Sequence, residues 1–130
     1  MGHWGYGPFD NDTAGDWVGC VSDSIKTEIE KVILLKKFHR GYDLQQKRDI
    51  TVAAICLLDN LSGFPHFDLY CSGNKELYKR SELYLKSIKS NSDGWIEPRQ
   101  RNKSMKILLR SIQKKIRRGK DAYSRRKAVR

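Results

Sequence analysis

The chain has 130 residues and a net charge of +11, from 26 Lys/Arg against 15 Asp/Glu, with 38% hydrophobic and 32% charged residues. That suffices for one small core without a metal or disulfide framework. It contains no run of about 18 apolar residues, which argues against a transmembrane helix and any membrane role; Met1-Gly2-His3-Trp4-Gly5 also lacks the basic and apolar regions of a secretory signal. Cys20, Cys56 and Cys71 are odd in number and widely spaced, so reduced thiols in the cytoplasm are expected.

Gly2-His3-Trp4-Gly5-Tyr6-Gly7-Pro8-Phe9 is too rich in glycine and aromatics for a helix and reads as an aromatic plug docked on the body. Asp10-Asn11-Asp12 then offers N-caps for a helix beginning near Thr13; with Asp10 as the cap, Phe9 and Ala14 take the staple positions. Ala14, Trp17, Val18 and Val21 form a short apolar stripe. Ser22-Asp23-Ser24 is a second capping cluster, so the segment is split there. The next helix carries Ile25, Ile29, Val32 and Ile33 and ends before Gly41.

A third helix spans about Leu44 to Leu61. Its run from Ile50 to Leu58 is apolar nearly all round, which predicts the most buried helix, with Cys56 a small interior residue. The β-branched residues there suit a strand too, but no alternating pattern elsewhere supplies a partner. Ser62-Gly63-Phe64-Pro65-His66 breaks the helix, and Asn74 can cap a fourth with Leu77, Tyr78, Tyr84, Leu85 and Ile88. Ser90 to Gly94 form a turn, with Trp95 and Ile96 as an anchor.

The fifth helix starts near Pro98 or Arg99, with Gly119 placed to end it. Met105, Leu108, Leu109, Ile112 and Ile116 recur at spacings of three and four, one side of a helix at about 100° per residue. Lys103, Lys106, Arg110, Lys114 and Arg117 take the opposite side; Ile107 and Lys115 spoil the split. The fold class is therefore all-α: a single-domain bundle of about five helices, with the plug at one end and a basic helix and tail at the other. Residues 1–118 form the domain and 119–130 a flexible basic tail.

The charge is concentrated at that end. Residues 1–98 sum to −2, whereas residues 99–130 hold 14 Lys/Arg and only Asp121 as an acid, a local charge of +13. A basic end on a nearly neutral body is the pattern of a polyanion-binding arm.

The opening Gly2-x-Trp4-Gly5-x-Gly7-x-Phe9-x-Asn11-Asp12-x-Ala14-x-Asp16-Trp17 resembles the start of the bacterial family catalogued as domain of unknown function 4259. The similarity extends through the third helix, Glu76-Leu77-Tyr78-Lys79-Arg80 and the turn with Trp95, about residues 2–116. Gly2, Trp4, Gly5, Gly7, Phe9, Asn11, Asp12 and Trp17 carry its structural signature. The resemblance implies a small helical cytosolic domain with no established reaction. Members of that family are commonly acidic or neutral, so the basic end is this chain's own departure.

Other constellations have simpler structural readings. The three early glycines follow no strand and precede no phosphate-loop lysine, so they read as a turn. Asp10, Asp12 and Asp16 lack the alternating ligands and distal glutamate of a calcium loop and suit helix capping. His3, His39, His66 and the cysteines show no paired zinc-ligand spacing. His66, Asp68 and Cys71 cluster on one loop, with no local feature to supply an oxyanion donor or lower the thiol pKa. No catalytic residue, metal or cofactor is assigned.

The expected function is non-catalytic binding of a polyanion, foremost a nucleic acid. Lys103, Lys106, Arg110, Lys114, Arg117 and Arg118 would follow the phosphates, and Arg125, Arg126 and Lys127 would add reach. The alternative is an interaction module, such as an inhibitor or immunity-type protein, docking on an acidic partner.

Overall fold

The computed structural model describes residues 11–69, 74–89 and 98–129, and for residues 65, 89, 98 and 120–129 the backbone only. Helix α1 (Asp12–Ile33) starts where Asn11, in extended conformation, accepts the Ala14 amide on its side chain at 2.8 Å. Asn11 is thus the cap chosen from the three candidates; Asp12 lies in the first turn, favourably placed against the helix dipole. The glycine-aromatic plug, residues 2–9, lies outside the described residues.

Helix α1 is continuous through Ser22-Asp23-Ser24, which corrects the expected break. The local hydroxyls do not cap a new helix. Ser24 Oγ donates to the Cys20 carbonyl at 3.1 Å and Thr27 Oγ1 to the Asp23 carbonyl at 2.8 Å, each satisfied one turn back. The chain leaves α1 through a left-handed residue, Lys36 at φ 51°, and the following Lys37 amide donates to the Lys31 carbonyl at 2.9 Å.

Helix α2 (Leu44–Leu61) opens on a reciprocal cap. Asp43 accepts the Gln46 amide at 2.8 Å, while the Gln46 side chain accepts the Asp43 amide at 2.9 Å. Only Thr51, Ile55 and Leu58 on this helix are buried; Cys56 and Leu57 face out. The expectation of the most buried helix, with Cys56 inside, is overturned. Helix α2 packs on α1 and α4, and its face with Ala53, Cys56 and Leu57 is left exposed among the described residues.

A 3₁₀ turn (Pro65–Phe67) leads to α3 (Asn74–Lys89). Asn74 is fully buried and donates through Nδ2 to the His66 and Asp68 carbonyls at 2.9 and 2.6 Å. Its side chain is therefore a clamp on the preceding loop as well as the first residue of the helix. One turn later Tyr78 extends the clamp, its hydroxyl donating to the Phe67 carbonyl at 2.7 Å.

Burial pushes the Tyr78 hydroxyl well above the ordinary value of 10; the charges of Asp59 and Asp68 push the same way, against a hydrogen bond with Ser62. Above pH 10 the unfolded chain therefore releases a proton that the folded chain retains. Fewer protons on the unfolded state make stability fall as pH rises. Alkaline titration of the unfolding free energy should show this decline beginning near pH 10. Tyr78→Phe should flatten it at the expense of about 1–2 kcal/mol for the lost hydrogen bond. Parallel slopes in the two proteins would contradict this account.

Helix α4 (Pro98–Val129) packs most extensively on α3 and also reaches α2, while α1 pairs with α2, α3 and the 3₁₀ turn. The core is one cluster: Ile29 and Ile33 from α1, Ile55 and Leu58 from α2, Phe67, four residues of α3, and Met105, Leu108, Leu109 and Ile112 from α4. The fold is all-helical with four helices and no strand among the described residues, rather than five helices.

Gly119 does not end α4. It is buried inside the helix, where Leu69 packs against its bare Cα. A Cβ there would stand 3.1 Å from Leu69 Cγ and 3.3 Å from Leu69 Cβ, with Cδ2 closer still. Glycine is thus retained for close approach, not for termination. Gly119→Ala should lower stability by about 1–2 kcal/mol, overpacking outweighing the roughly 1 kcal/mol that alanine adds to a helix. A thermal melt checks this, and Gly119→Ala with Leu69→Ala should recover part of the loss. A raised melting temperature in the single variant would show that the loop simply moves aside.

Candidate functional site

The α4 sequence sorts by angle around the helix axis. Met105, Leu108, Leu109 and Ile112 are buried and Ile116 is half-buried, while Lys103, Lys106, Arg110, Lys114, Arg117 and Arg118 are all exposed. At 1.5 Å per residue the six cations run along about 22 Å of helix. That matches some six phosphates along one strand of a duplex, which are spaced about 3.4 Å apart along its axis. Arg99, also exposed, falls at the same phase and extends the row by one turn. The sequence reading missed it although its spacing from Lys103 and Lys106 gives it away.

The two positions that spoiled the split resolve differently. Ile107 is 65% exposed and stays among the cations. Lys115 turns inward. Its Nζ pairs with the Asp59 carboxylate of α2 and donates to the Asp59 carbonyl at 3.0 Å and to Ser111 Oγ at 3.2 Å. Ser111 Oγ in turn donates to both carboxylate oxygens, at 2.9 and 3.0 Å. Lys115 is therefore a tie between helices, not part of the outward row.

None of the six outward cations forms an ion pair with an acid among the described residues. They also repel each other: Lys106, Arg110, Lys114 and Arg118 follow at four-residue intervals, where each like-charged pair disfavours the helix by about 0.2–0.5 kcal/mol. Folding gains nothing from this row; the apolar face holds it in place. Arg125, Arg126 and Lys127 lie on the same helical backbone, and their side chains are outside the described residues.

Beside the row, a furrow of about 330 Å³ between α3 and α4 is lined by Lys86, Lys106, Leu109, Arg110 and Gln113. Lys86 is loosely paired with Glu82 at 3.4 Å. The furrow adds a cation from a second helix, a placement with no local signal in the sequence.

A second basic cluster went unnoticed because acids elsewhere in residues 1–98 cancel it in a linear count. Lys36, Lys37, Arg40, Lys47 and Arg48 gather around the α1–α2 loop with Phe38, His39 and Tyr42. Lys47 Nζ stands 5.8 Å from the Phe38 ring centroid, and His39 meets Tyr42 edge-on at 6.0 Å.

Of the signature residues, Asn11 caps α1, Asp12 is exposed in its first turn, and Trp17 is 65% exposed. Trp17 borders an apolar groove with Val18, Val21, Ile25, Leu61 and Phe64, so its stripe is not closed as the sequence suggested. His66 and Asp68 sit on the loop before α3, and Cys71 lies outside the described residues. Among the described residues, no three His, Cys, Asp or Glu side chains group to hold a metal, and no helix is long and apolar enough to cross a membrane.

Comparison with known proteins gives one match. The family model described as domain of unknown function (DUF4259) matches residues 2–122. No curated protein and no solved structure matches the chain.

Proposed function

The chain belongs to the DUF4259 family, and from that premise, which brings no reaction with it, we propose that α4 binds the phosphate backbone of a nucleic acid. One observation carries the reading: the outward row from Lys103 to Arg118 is exposed and has no acidic partner among the described residues. A polyanion would relieve the repulsion along the row and release its own counterions, an entropic gain that makes binding strongest at low salt. The Lys86 furrow supports the same reading by offering room for a phosphate against α3. Contacts of this kind position a nucleic acid without reading its bases, so sequence preference is expected to be weak. The binding is non-catalytic in this account. The exposed free thiols of Cys20 and Cys56 fit a reducing compartment, the cytoplasm.

Affinity capture from lysate, with and without nuclease and at two salt concentrations, tests the proposal. Nucleic acid should dominate the eluate at low salt and fall away at high salt. One acidic protein retained in stoichiometric amount after nuclease treatment would replace this reading with an interaction module.

A further inference from the structure

The loop between α1 and α2 runs Lys36-Lys37-Phe38-His39-Arg40-Gly41-Tyr42, with cations and rings interleaved. It bends through the left-handed region twice, at Lys36 with φ 51° and at Gly41 with φ 89°. Lys36, Lys37, His39 and Arg40 are exposed, and Phe38 and Tyr42 are half-buried. A hollow of about 450 Å³ is lined by these residues and Lys47. A second, of about 410 Å³, shares Lys37, Phe38, His39 and Tyr42 with it. The three rings therefore border open space in both hollows.

The charge around the first hollow has one sign, since no acid stands among its described lining residues. Lys36, Lys37 and Arg40 form no ion pair with an acid among the described residues. Two acids beside the loop are engaged elsewhere. Glu28, which lines the second hollow, pairs with Lys31 at 3.1 Å. Asp43, next to Tyr42, accepts the Gln46 amide at 2.8 Å as the cap of α2.

Rings among cations suit an unpaired nucleic-acid strand. Each of its bases has a flat face that can stack on a ring, while its phosphates meet the cations. The bases of a duplex are already stacked on one another, so a duplex can use the cations and not the rings. A simple anion would also leave the rings unused. We infer that the α1–α2 loop is a single-strand contact: an unpaired base stacks against the His39–Tyr42 pair, and Lys36, Lys37 and Arg40 receive the flanking phosphates. The loop supplies what a row of cations along α4 does not, discrimination between an unpaired strand and a duplex. The inference stands on the loop's own residues and does not rest on the α4 reading.

Fluorescence anisotropy of the full chain with a labelled oligodeoxythymidylate and with a labelled duplex of equal length tests it. The readout is the ratio of the two affinities. His39→Ala, at an exposed position, should leave the melting temperature unchanged and weaken single-strand binding about fivefold or more, with duplex binding unaltered. Adding Tyr42→Ala should weaken the strand further, whereas His39→Phe and Tyr42→Phe, which keep a ring, should preserve the ratio. Lys114→Glu with Arg117→Glu should weaken both ligands by a similar factor and leave the ratio alone, so failure of the α4 row and failure of the loop read differently. An unchanged ratio in the double alanine variant, or no binding of the strand by the parent chain, would overturn the proposal. So would displacement of the strand by equimolar thymidine monophosphate, since a free nucleotide would then be the occupant.

Discussion

Reversing Lys114 and Arg117 to glutamate and ending the chain after Gly119 should abolish retention on RNA or DNA at low salt. Together these changes lower the net charge from +11 to +3. Each phosphate contact removed should reduce the slope of log affinity against log salt by about 0.9 on duplex or 0.7 on single strands. Loss of four or so contacts then corresponds to about a hundredfold or greater fall in affinity near 50 mM salt. Both substituted side chains are exposed and lack ion pairs among the described residues, so the point changes should leave the helical circular dichroism and melt intact. Keeping Gly119 preserves the Leu69 contact. Reversal of Lys75 and Lys79, exposed cations on α3, is the control for bulk charge. Equal losses in the control would remove α4 as the binding surface, as would unchanged retention in the α4 variant.

The second large effect concerns stability. Asp59→Ala is expected to destabilise the fold by about 2–3 kcal/mol in urea unfolding. The estimate lies between two limits: an exposed ion pair contributes about 1 kcal/mol or less, and breaking a buried one costs about 3–5 kcal/mol. The pair sits between them, with the Lys115 and Asp59 side chains 28% and 14% exposed. Removing the carboxylate strips Ser111 Oγ of its acceptor and leaves the Lys115 ammonium with only neutral acceptors, the residue 59 carbonyl and Ser111 Oγ. Lys115→Met should cost less, because methionine fills the same space without a charge. The double variant should lose clearly less than the two single losses combined, by 1 kcal/mol or more. Additive losses within about 0.5 kcal/mol would show that the tie contributes little.

These predictions separate local information from distant information. The starts of α2, α3 and α4 were legible because caps and breakers act within a few residues: Gly41 before α2, Asn74 at the start of α3 and Pro98 at the start of α4, while the Asp43–Gln46 cap of α2 went unread. The face that α4 turns inward was legible for the same reason, since a 3.6-residue period needs no knowledge of the partner. The errors also share a cause. Ser22 to Ser24 and Gly119 have side chains that stop helices when nothing else decides. Here the hydroxyls bond back within α1, and Gly119 is kept for Leu69, fifty residues earlier. Cys56 and Leu57 looked interior by composition, but among the described residues the face of α2 that carries them is left exposed.

The sequence by itself determined an all-helical chain and a closing helix with one greasy and one cationic flank, because both follow from the order of side chains along a single helix. Tertiary structure alone decided that Lys115 leaves the cationic row for Asp59, that Lys86 joins it from α3, and that Lys47 of α2 joins Lys36, Lys37 and Arg40 around one hollow. Each of these depends on which helices become neighbours. Charge and apolar area act across space, whereas a linear count sums them along the chain and cancels groups that never meet.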